Sequence, residues 1–231
     1  MIDDLTFIIA VRKGSKRIID KNIKSFAGSS LLEIKLKQIC RVFKNPKIFF
    51  SSNCKKSIYI AKKFTQDINI RPAYYCSSKV PMKEVYSYLA SFVKTKYVCY
   101  LHVTSPLLTD RTLKKSVSLM NKVLKKNINK YDSIATVTEV REYLWYKNKS
   151  INYDSSNHPR SQTLPVYKAL NFAINIIPKK KMHIEKRIVG KKFFPLVLNY
   201  PENIDVDEIW QFHVAEKLYP IFKKKNSFIR R

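Results

Sequence analysis

The sequence predicts an α/β layer fold in which strands alternate with helices. Three observations carry this expectation. Hydrophobic runs switch between period 2 and period 3.6 along the chain, as a βαβ protein requires. The 231 residues are 45% hydrophobic and 13% aromatic, enough to bury one continuous core without disulfide staples. No internal repeat or low-complexity linker interrupts the pattern, so one domain over 1–231 is expected, with an excursion from the main sheet at about 139–166.

The elements follow in order. Leu5 to Val11 reads as a buried strand from its continuous apolar run, and it empties into a polar loop, Arg12 to Asn22. A helix is expected from about Ser30, with Leu32, Leu36, Ile39, Cys40 and Phe43 on one face. Lys47 to Phe50 makes a second strand, and Ser57 to Phe64 a second helix. Pro81 suits the first turn of a third helix, in which Val85, Leu89, Phe92 and Val93 share a stripe. Tyr97 to Val103 returns as a central strand that Thr104-Ser105-Pro106 ends sharply. Thr109-Asp110 is a good cap for a helix carrying Leu113, Val117, Met120 and Leu124, after which Ser133 to Val137 reads as a strand. From Glu139 to Val166 the pattern weakens around Tyr143, Trp145 and Tyr146; this is the expected excursion. Leu170–Ile177 and Pro195–Leu198 are expected strands, and Asp207–Leu218 a closing helix.

Composition excludes several function classes. Lys and Arg total 45 against 17 Asp and Glu, a net charge of +28 that makes attraction to polyanions physically expected. The lysines are nevertheless scattered, with small clusters at 179–181 and 223–225, and no zinc-finger, P-loop or RNP-type motif accompanies them. They read as solvated faces, with no specific nucleic-acid partner. Cysteines 40, 54, 76 and 99 form no C-x-x-C pair and no metal-ligand spacing, and read as reduced, mostly buried thiols. The opening Met1-Ile2-Asp3-Asp4 lacks the basic flank of a signal peptide, and no run reaches the roughly 18 apolar residues of a membrane span. A cytoplasmic protein without a membrane partner is expected.

Ligands of open α/β sheets bind beyond the carboxyl ends of strands, which directs attention to the loop after the first strand. It holds Arg12, Lys13, Lys16, Arg17 and Lys21, together with Ser15 and Gly14, one of three glycines in the chain. On composition the loop fits a triphosphate cradle and a solvated charge run equally well. Near the C-terminal end, Asp205 and Asp207 flank Val206, and residues two apart in an extended stretch project to the same side. They suit two oxygen ligands on Mg²⁺, or else Asp207 caps the closing helix while Asp205 is solvated.

Eight segments, taken in order, resemble one family. The first loop is similar to the A-R-G-G-S-K-…-K-N signature of the acylneuraminate cytidylyltransferases, and residues 26–32 (FAGSSLL) resemble that family's L-x-G-K-P-L-I. Arg71-Pro72 resembles its R-P dipeptide, residues 102–108 (HVTSPLL) its Q-P-T-S-P-L-R, and residues 132–139 (DSIATVTE) its D-S-V-V-S-V-T-E. Residues 160–165 (RSQTLP) are similar to R-x-Q-D-L-P, residues 171–175 (NFAIN) to N-G-A-I-Y, and residues 204–207 (IDVD) to I-D-I-D. The likeness spans about residue 5 to residue 217.

The resemblance implies a nucleotide-diphospho-sugar transferase-like, Rossmann-like mixed sheet with helices on both faces. It further implies a homodimer toward whose second subunit the 139–166 excursion reaches, and Mg²⁺ held by Asp205 and Asp207. The implied reaction is attack by the anomeric hydroxyl of a nonulosonic acid, of sialic, legionaminic or pseudaminic type, on the α-phosphorus of CTP. Pyrophosphate leaves, and the CMP-sugar would feed lipopolysaccharide or capsule synthesis. Arg12, Gly14, Ser15, Lys16, Lys21, Asn22 and Arg71 would hold the nucleotide; His102, Thr104, Ser105, Arg160, Gln162 and Asn171 would face the acid sugar. Arg12, Lys21 and Asp207 would carry catalysis.

Departures from the family pattern accompany the matches. Lys13 replaces a glycine, so that position must avoid positive φ. His102, Leu108, Phe172 and Asn175 stand for Gln, Arg, Gly and Tyr, and Asn53 stands for the usual acidic residue after the second strand. His102 is open to two readings, a satisfied strand-end histidine or an acceptor contact. Two competing functions follow: a nucleotide-sugar-binding relative that has lost turnover, and a basic nucleic-acid binder.

Overall fold

The computed structural model describes residues 2–126 and 130–227, with the side chains of 224–227 left aside. Met1, Lys224 and Lys225, which enter the readings of the N-terminus and of the second lysine cluster, therefore lie outside the described residues or side chains.

A seven-stranded mixed sheet forms the middle layer, in the order β3-β2-β1-β4-β8-β5-β9. Its strands are β1 (Leu5–Ala10), β2 (Lys47–Ser52), β3 (Ile68–Ile70), β4 (Tyr97–Leu101), β5 (Ser133–Val140), β8 (Tyr167–Pro178) and β9 (Phe193–Val197). β1, β2, β3 and β4 run parallel, whereas β8 is antiparallel to both β4 and β5. β5 and β9 pair in parallel. Helices α1 (Leu31–Val42), α2 (Lys55–Ala61), α3 (Met82–Ser91), α4 (Asp110–Met120), α5 (Lys179–Ile184) and α6 (Ile209–Ser227) complete the domain.

Helices cover both faces because the strands are apolar on both. In β1, Leu5, Phe7 and Ile9 enter a core shared with α1, α4 and α6, while Ile8 enters a second core with α3 and α5. The same alternation recurs in β2, where Ile48 and Phe50 face the first core and Phe49 the second. Such strands read as continuous hydrophobic runs, which is why they are visible in sequence.

Caps fix where helices begin. Ser30 accepts from the Glu33 N–H ahead of α1, and Thr109 accepts from the Thr112 N–H ahead of α4. Both were expected as helix starts. α4 continues into a π-helical turn at Asn121–Lys125 that keeps Val123 and Leu124 buried.

Several details differ from expectation. β3 and α5 are additional elements: β3 has three residues, none of them fully buried, and α5 begins inside the Lys179–Lys181 cluster. Cys40 is exposed while Cys54, Cys76 and Cys99 are buried. α1 turns Lys35 and Gln38 inward, so its buried face is centred away from Cys40. Phe92 ends α3 at 44% exposure, stacking one face on Phe49 at 5.6 Å between ring centroids. The excursion holds a two-residue hairpin, β6 (Trp145–Tyr146) with β7 (Lys149–Ser150), paired only to itself. Its internal bonds, such as Trp145 Nε1 to the Tyr153 hydroxyl at 2.7 Å and Tyr143 hydroxyl to the Pro159 carbonyl at 2.6 Å, give it a shape of its own.

Candidate active site

Strand order runs outward in both directions from β1 and β4, so the crevice at their carboxyl ends is a topological switch point of the parallel part of the sheet. A cavity of about 350 Å³ opens there. Arg12, Ser15, Lys16, Lys21 and Asn22 line it from the first loop, and His102 and Thr104 from the end of β4. Asp207 closes it from the segment before α6. Seven residues assigned from sequence to nucleotide and sugar, and one assigned to metal, are thus brought to one place.

The loop is shaped by a few polar contacts. Gly14 takes φ +87°, a conformation that a side chain would strain, while Lys13 keeps a negative φ as its identity requires. The Lys13 N–H donates to Asn53 Oδ1 at 2.9 Å, so the residue standing for the family's acidic one anchors the loop from β2. Arg12 reaches across to the Cys76 carbonyl at 2.8 Å.

Arg71 lies behind the loop and outside the cavity lining. It is 5% exposed, and its Nη2 donates to the carbonyls of Val11 at 2.5 Å and Ser51 at 2.8 Å. Its guanidinium thereby braces the ends of β1 and β2.

Opposite the loop, Val206 is fully buried and its N–H donates to the Thr104 carbonyl at 2.8 Å, which fixes the half-buried aspartates on either side. Burial, with Asp207 close by, raises the Asp205 carboxyl above the usual range although Thr104 bonds to it, and Asp205 Oδ1 is buried without a partner. Asp207 behaves oppositely. Burial works to raise it, but Lys21 at 2.9 Å and Arg17 at 3.1 Å outweigh this and hold it below the usual range. Lys21 also donates to the Val206 carbonyl at 2.7 Å. The start of α6 is served by Gln211, whose Oε1 accepts from the N–H groups of Asp207 and Glu208, each at 2.7 Å. The cap anticipated for the Asp207 side chain is thereby supplied by Gln211, and the carboxylate faces the cavity.

These residues fit a divalent cation in part. An unpartnered buried carboxylate oxygen beside a second carboxylate is the donor set that Mg²⁺ takes when the remaining ligands are water and phosphate. Among the described residues no group of three or more such ligands gathers. The protein share of the coordination would come from Asp205 and Asp207.

His102 stacks on Phe172, at 6.1 Å between ring centroids, and meets Tyr100 at a tilt, at 5.2 Å. Burial lowers its pKa to about 4, so the ring is neutral at ordinary pH, and its Nε2 is unpartnered. Phe172 takes φ +58° where β5 and β8 shift register, a left-handed conformation that glycine adopts without cost.

The remaining sugar-side residues lie elsewhere. Ser105 is buried, its carbonyl accepting from Lys35 Nζ at 3.0 Å. Asn171 spends its amide on Thr138 at 3.1 Å and on the Ala173 N–H at 3.3 Å. Arg160 and Gln162 are exposed on the excursion and do not line this cavity.

Two residues escaped the sequence reading. Arg17, on the same loop, donates to Glu208 at 2.9 Å besides pairing with Asp207. Lys35 is 0% exposed beneath the turn that follows β4. Lys35 carried a visible signal, lying three residues after Leu32 on the apolar stripe of its helix. Arg17 carried none beyond its place in a basic loop.

A model of the cytidylyltransferase family matches residues 6–183. Pseudaminic acid cytidylyltransferase from Campylobacter jejuni is 25% identical over 226 residues, 93% of this chain and 95% of the relative. N-acylneuraminate cytidylyltransferase from Oncorhynchus mykiss is 24% identical over 221 residues, 91% of this chain and 49% of the relative. Among solved structures, CMP:2-keto-3-deoxy-manno-octonic acid synthetase complexed with CTP superposes with a TM-score of 0.65 at 9% identity, over 96% of this chain and 100% of the other. A cytidylyltransferase from Leptospira borgpetersenii superposes with a TM-score of 0.60 at 15% identity, over 99% and 97%.

Proposed function

The chain belongs to the cytidylyltransferase family, and on that premise we propose that it transfers CMP from CTP to the anomeric hydroxyl of a nonulosonic acid, releasing pyrophosphate. The observation that carries this reading is the convergence of Arg12, Lys16 and Lys21 with Asp207 on one cavity at the β1/β4 switch point, Asp205 lying two residues before Asp207. Sialic- and pseudaminic-type acids are the favoured acceptors because the named relatives act on that class.

The chemistry asks the protein for position and charge. Transfer at phosphorus builds negative charge on the departing pyrophosphate, and preorganised cations aimed at those oxygens lower the barrier most. Arg12, Lys16 and Lys21 are those cations, with the backbone at Gly14 free to approach the phosphates. Asp205 and Asp207 would hold Mg²⁺, which would supply Lewis-acid charge to the triphosphate. His102, neutral with an open nitrogen, suits a hydrogen bond from an acceptor hydroxyl.

We place Arg160 and Gln162 on the acid sugar of a second copy's pocket. The excursion that carries them leaves Trp145 55% and Tyr146 63% exposed, apolar surface of the kind a subunit interface covers. A homodimer working in the cytoplasm, where CTP is available, accords with this reading, and the CMP-sugar product would feed surface-glycan synthesis. None of the helices of the described residues is long and apolar enough to cross a membrane.

The test is pyrophosphate release from CTP and Mg²⁺ across a panel of nonulosonic acids. Release with at least one acid is expected. A protein that binds CTP yet yields no product with any acid would instead be the binding relative, and steeply salt-dependent binding to arbitrary nucleic acid without CTP binding would favour the basic binder.

A further inference from the structure

Arg17 divides its guanidinium between two neighbouring carboxylates, Nη2 on Asp207 at 3.1 Å and Nη1 on Glu208 at 2.9 Å. Lys21 meets the same Asp207 oxygen at 2.9 Å. Asp207 is therefore covered by two cations, while its companion Asp205 keeps a buried oxygen without a partner. A divalent cation held by the pair would lie close to these two positive charges, which oppose its binding. Arg17 also lines the cavity, and its side chain is 55% exposed. Ion pairs that open to solvent contribute little, so the arrangement holds Arg17 in place and gives it up readily. A triphosphate offers the same guanidinium several oxygens at once, which a planar fork grips better than two separate carboxylates.

We infer that Arg17 is a further nucleotide-binding residue, and that a triphosphate draws Arg17 and Lys21 off Asp207 and so opens the carboxylate pair to the metal. Nucleotide and divalent cation then bind cooperatively through an exchange of ionic partners, with no rearrangement of the backbone. The inference rests on the cytidylyl-transfer reading and adds to it a residue and an order of events: the free protein holds divalent cations weakly, and the nucleotide's phosphates supply the charge that reverses this.

The experiment uses Mn²⁺ as the probe, followed by its electron paramagnetic resonance signal on titration into nucleotide-free protein, alongside CTP binding measured in EDTA. Arg17→Gln removes one of the two covering cations, and Mn²⁺ affinity in the absence of nucleotide should rise about threefold to fivefold, the equivalent of one exposed ion pair. CTP affinity in EDTA should fall about tenfold for the lost charge-assisted contact. Arg17→Lys keeps the charge without the fork, so Mn²⁺ binding should stay near wild type while CTP affinity drops. These opposed shifts are ones that a residue serving only the fold would not produce. Asp207→Asn should abolish Mn²⁺ binding in every background, leaving the signal of the free ion undiminished, which locates the site. Unchanged Mn²⁺ affinity in Arg17→Gln, with wild-type protein binding CTP normally, would overturn the exchange and leave the cytidylyl reading standing. Wild-type protein that binds no CTP would bring down that reading, and this inference with it.

Discussion

Lys35→Met should change the pH dependence of stability more than it changes activity. Lys35 is 0% exposed on α1, and its Nζ has two close acceptors, the Ser105 carbonyl and Gln38 Oε1, each at 3.0 Å. Two acceptors satisfy a neutral amine, which has two N–H donors, and fall short of an ammonium, which has three. Burial lowers its pKa to about 7 from an ordinary value near 10.5, against the opposing pull of Asp110, Cys99 and Glu202 and with Arg41 assisting. Below about pH 7 both folded and unfolded chains carry the proton, and folding pays to bury a charge. Between about 7 and 10.5 the unfolded chain binds more protons than the folded one, so stability climbs with pH; above that window the penalty is gone. The full gap corresponds to about 5 kcal/mol, and the part falling between pH 7 and 9.5 to about 3 kcal/mol. The chain's +28 charge adds a pH dependence of its own, which both proteins share. Urea unfolding at pH 7.0 and at pH 9.5, read as wild type minus Lys35→Met, isolates the lysine. The wild type should gain about 3 kcal/mol on the variant across that interval, a relative midpoint shift on the order of 1 M urea. Met leaves the two acceptors unpaired, which offsets the curves without altering their difference in slope. Parallel stability profiles would refute the argument.

The remaining mutations concern the cavity. Arg12→Ala and Lys21→Ala should each lower turnover by roughly two to three orders of magnitude while the thermal melt stays cooperative, because each removes a charge aimed at the leaving pyrophosphate; near-normal kcat in both would remove them from the phosphate site. Asp207→Asn keeps the size of the residue and loses the charge that draws a divalent cation, so turnover at ordinary Mg²⁺ should vanish with little change in melting temperature. Gln211→Ala should do the reverse, costing on the order of 1 kcal/mol through the exposed start of α6 and sparing activity. Comparable losses of activity in these two variants would count against dividing metal and cap between the two residues.

The fold is legible wherever burial is continuous. β1, β2 and β4 are apolar on both faces and stand out as runs, and Ser30 and Thr109 announce the helices they cap. β3 is too short and too exposed to leave a pattern, and the lysines of α5 mask a helix whose one buried residue is Met182. At the site, the phosphate loop is legible because residues adjacent in sequence act together. The direction in which a long cation points is not legible. Arg71 turns under the loop and Arg17 turns to Asp207, though both are arginines near the same strand ends, and the backbone carbonyls and carboxylates that decide between them are assembled only by the sheet.

The acceptor side calls for a different kind of evidence. The phosphate side is contributed by neighbouring strand ends of one chain, whereas Arg160 and Gln162 sit on an excursion hydrogen-bonded mainly within itself and outside the cavity. An arm with an arginine and exposed aromatics outside the lining of its own cavity is expected to serve a pocket on another copy, and that expectation can be separated from a purely structural role by complementation. Arg12→Ala and Arg160→Ala each disable one half of a site. In a mixed dimer with shared sites, one pocket collects both defects, and the other combines an intact Arg12 with the partner's intact Arg160. Co-refolding the two inactive proteins in equal amounts should therefore restore about a quarter of wild-type activity, since half of randomly paired dimers are mixed and each has one good site. If Arg160 serves the pocket of its own chain, both pockets of the mixed dimer are defective and mixing restores nothing. Recovered activity that fails to track the fraction of mixed dimers, measured by differential tagging, would likewise reject the shared site.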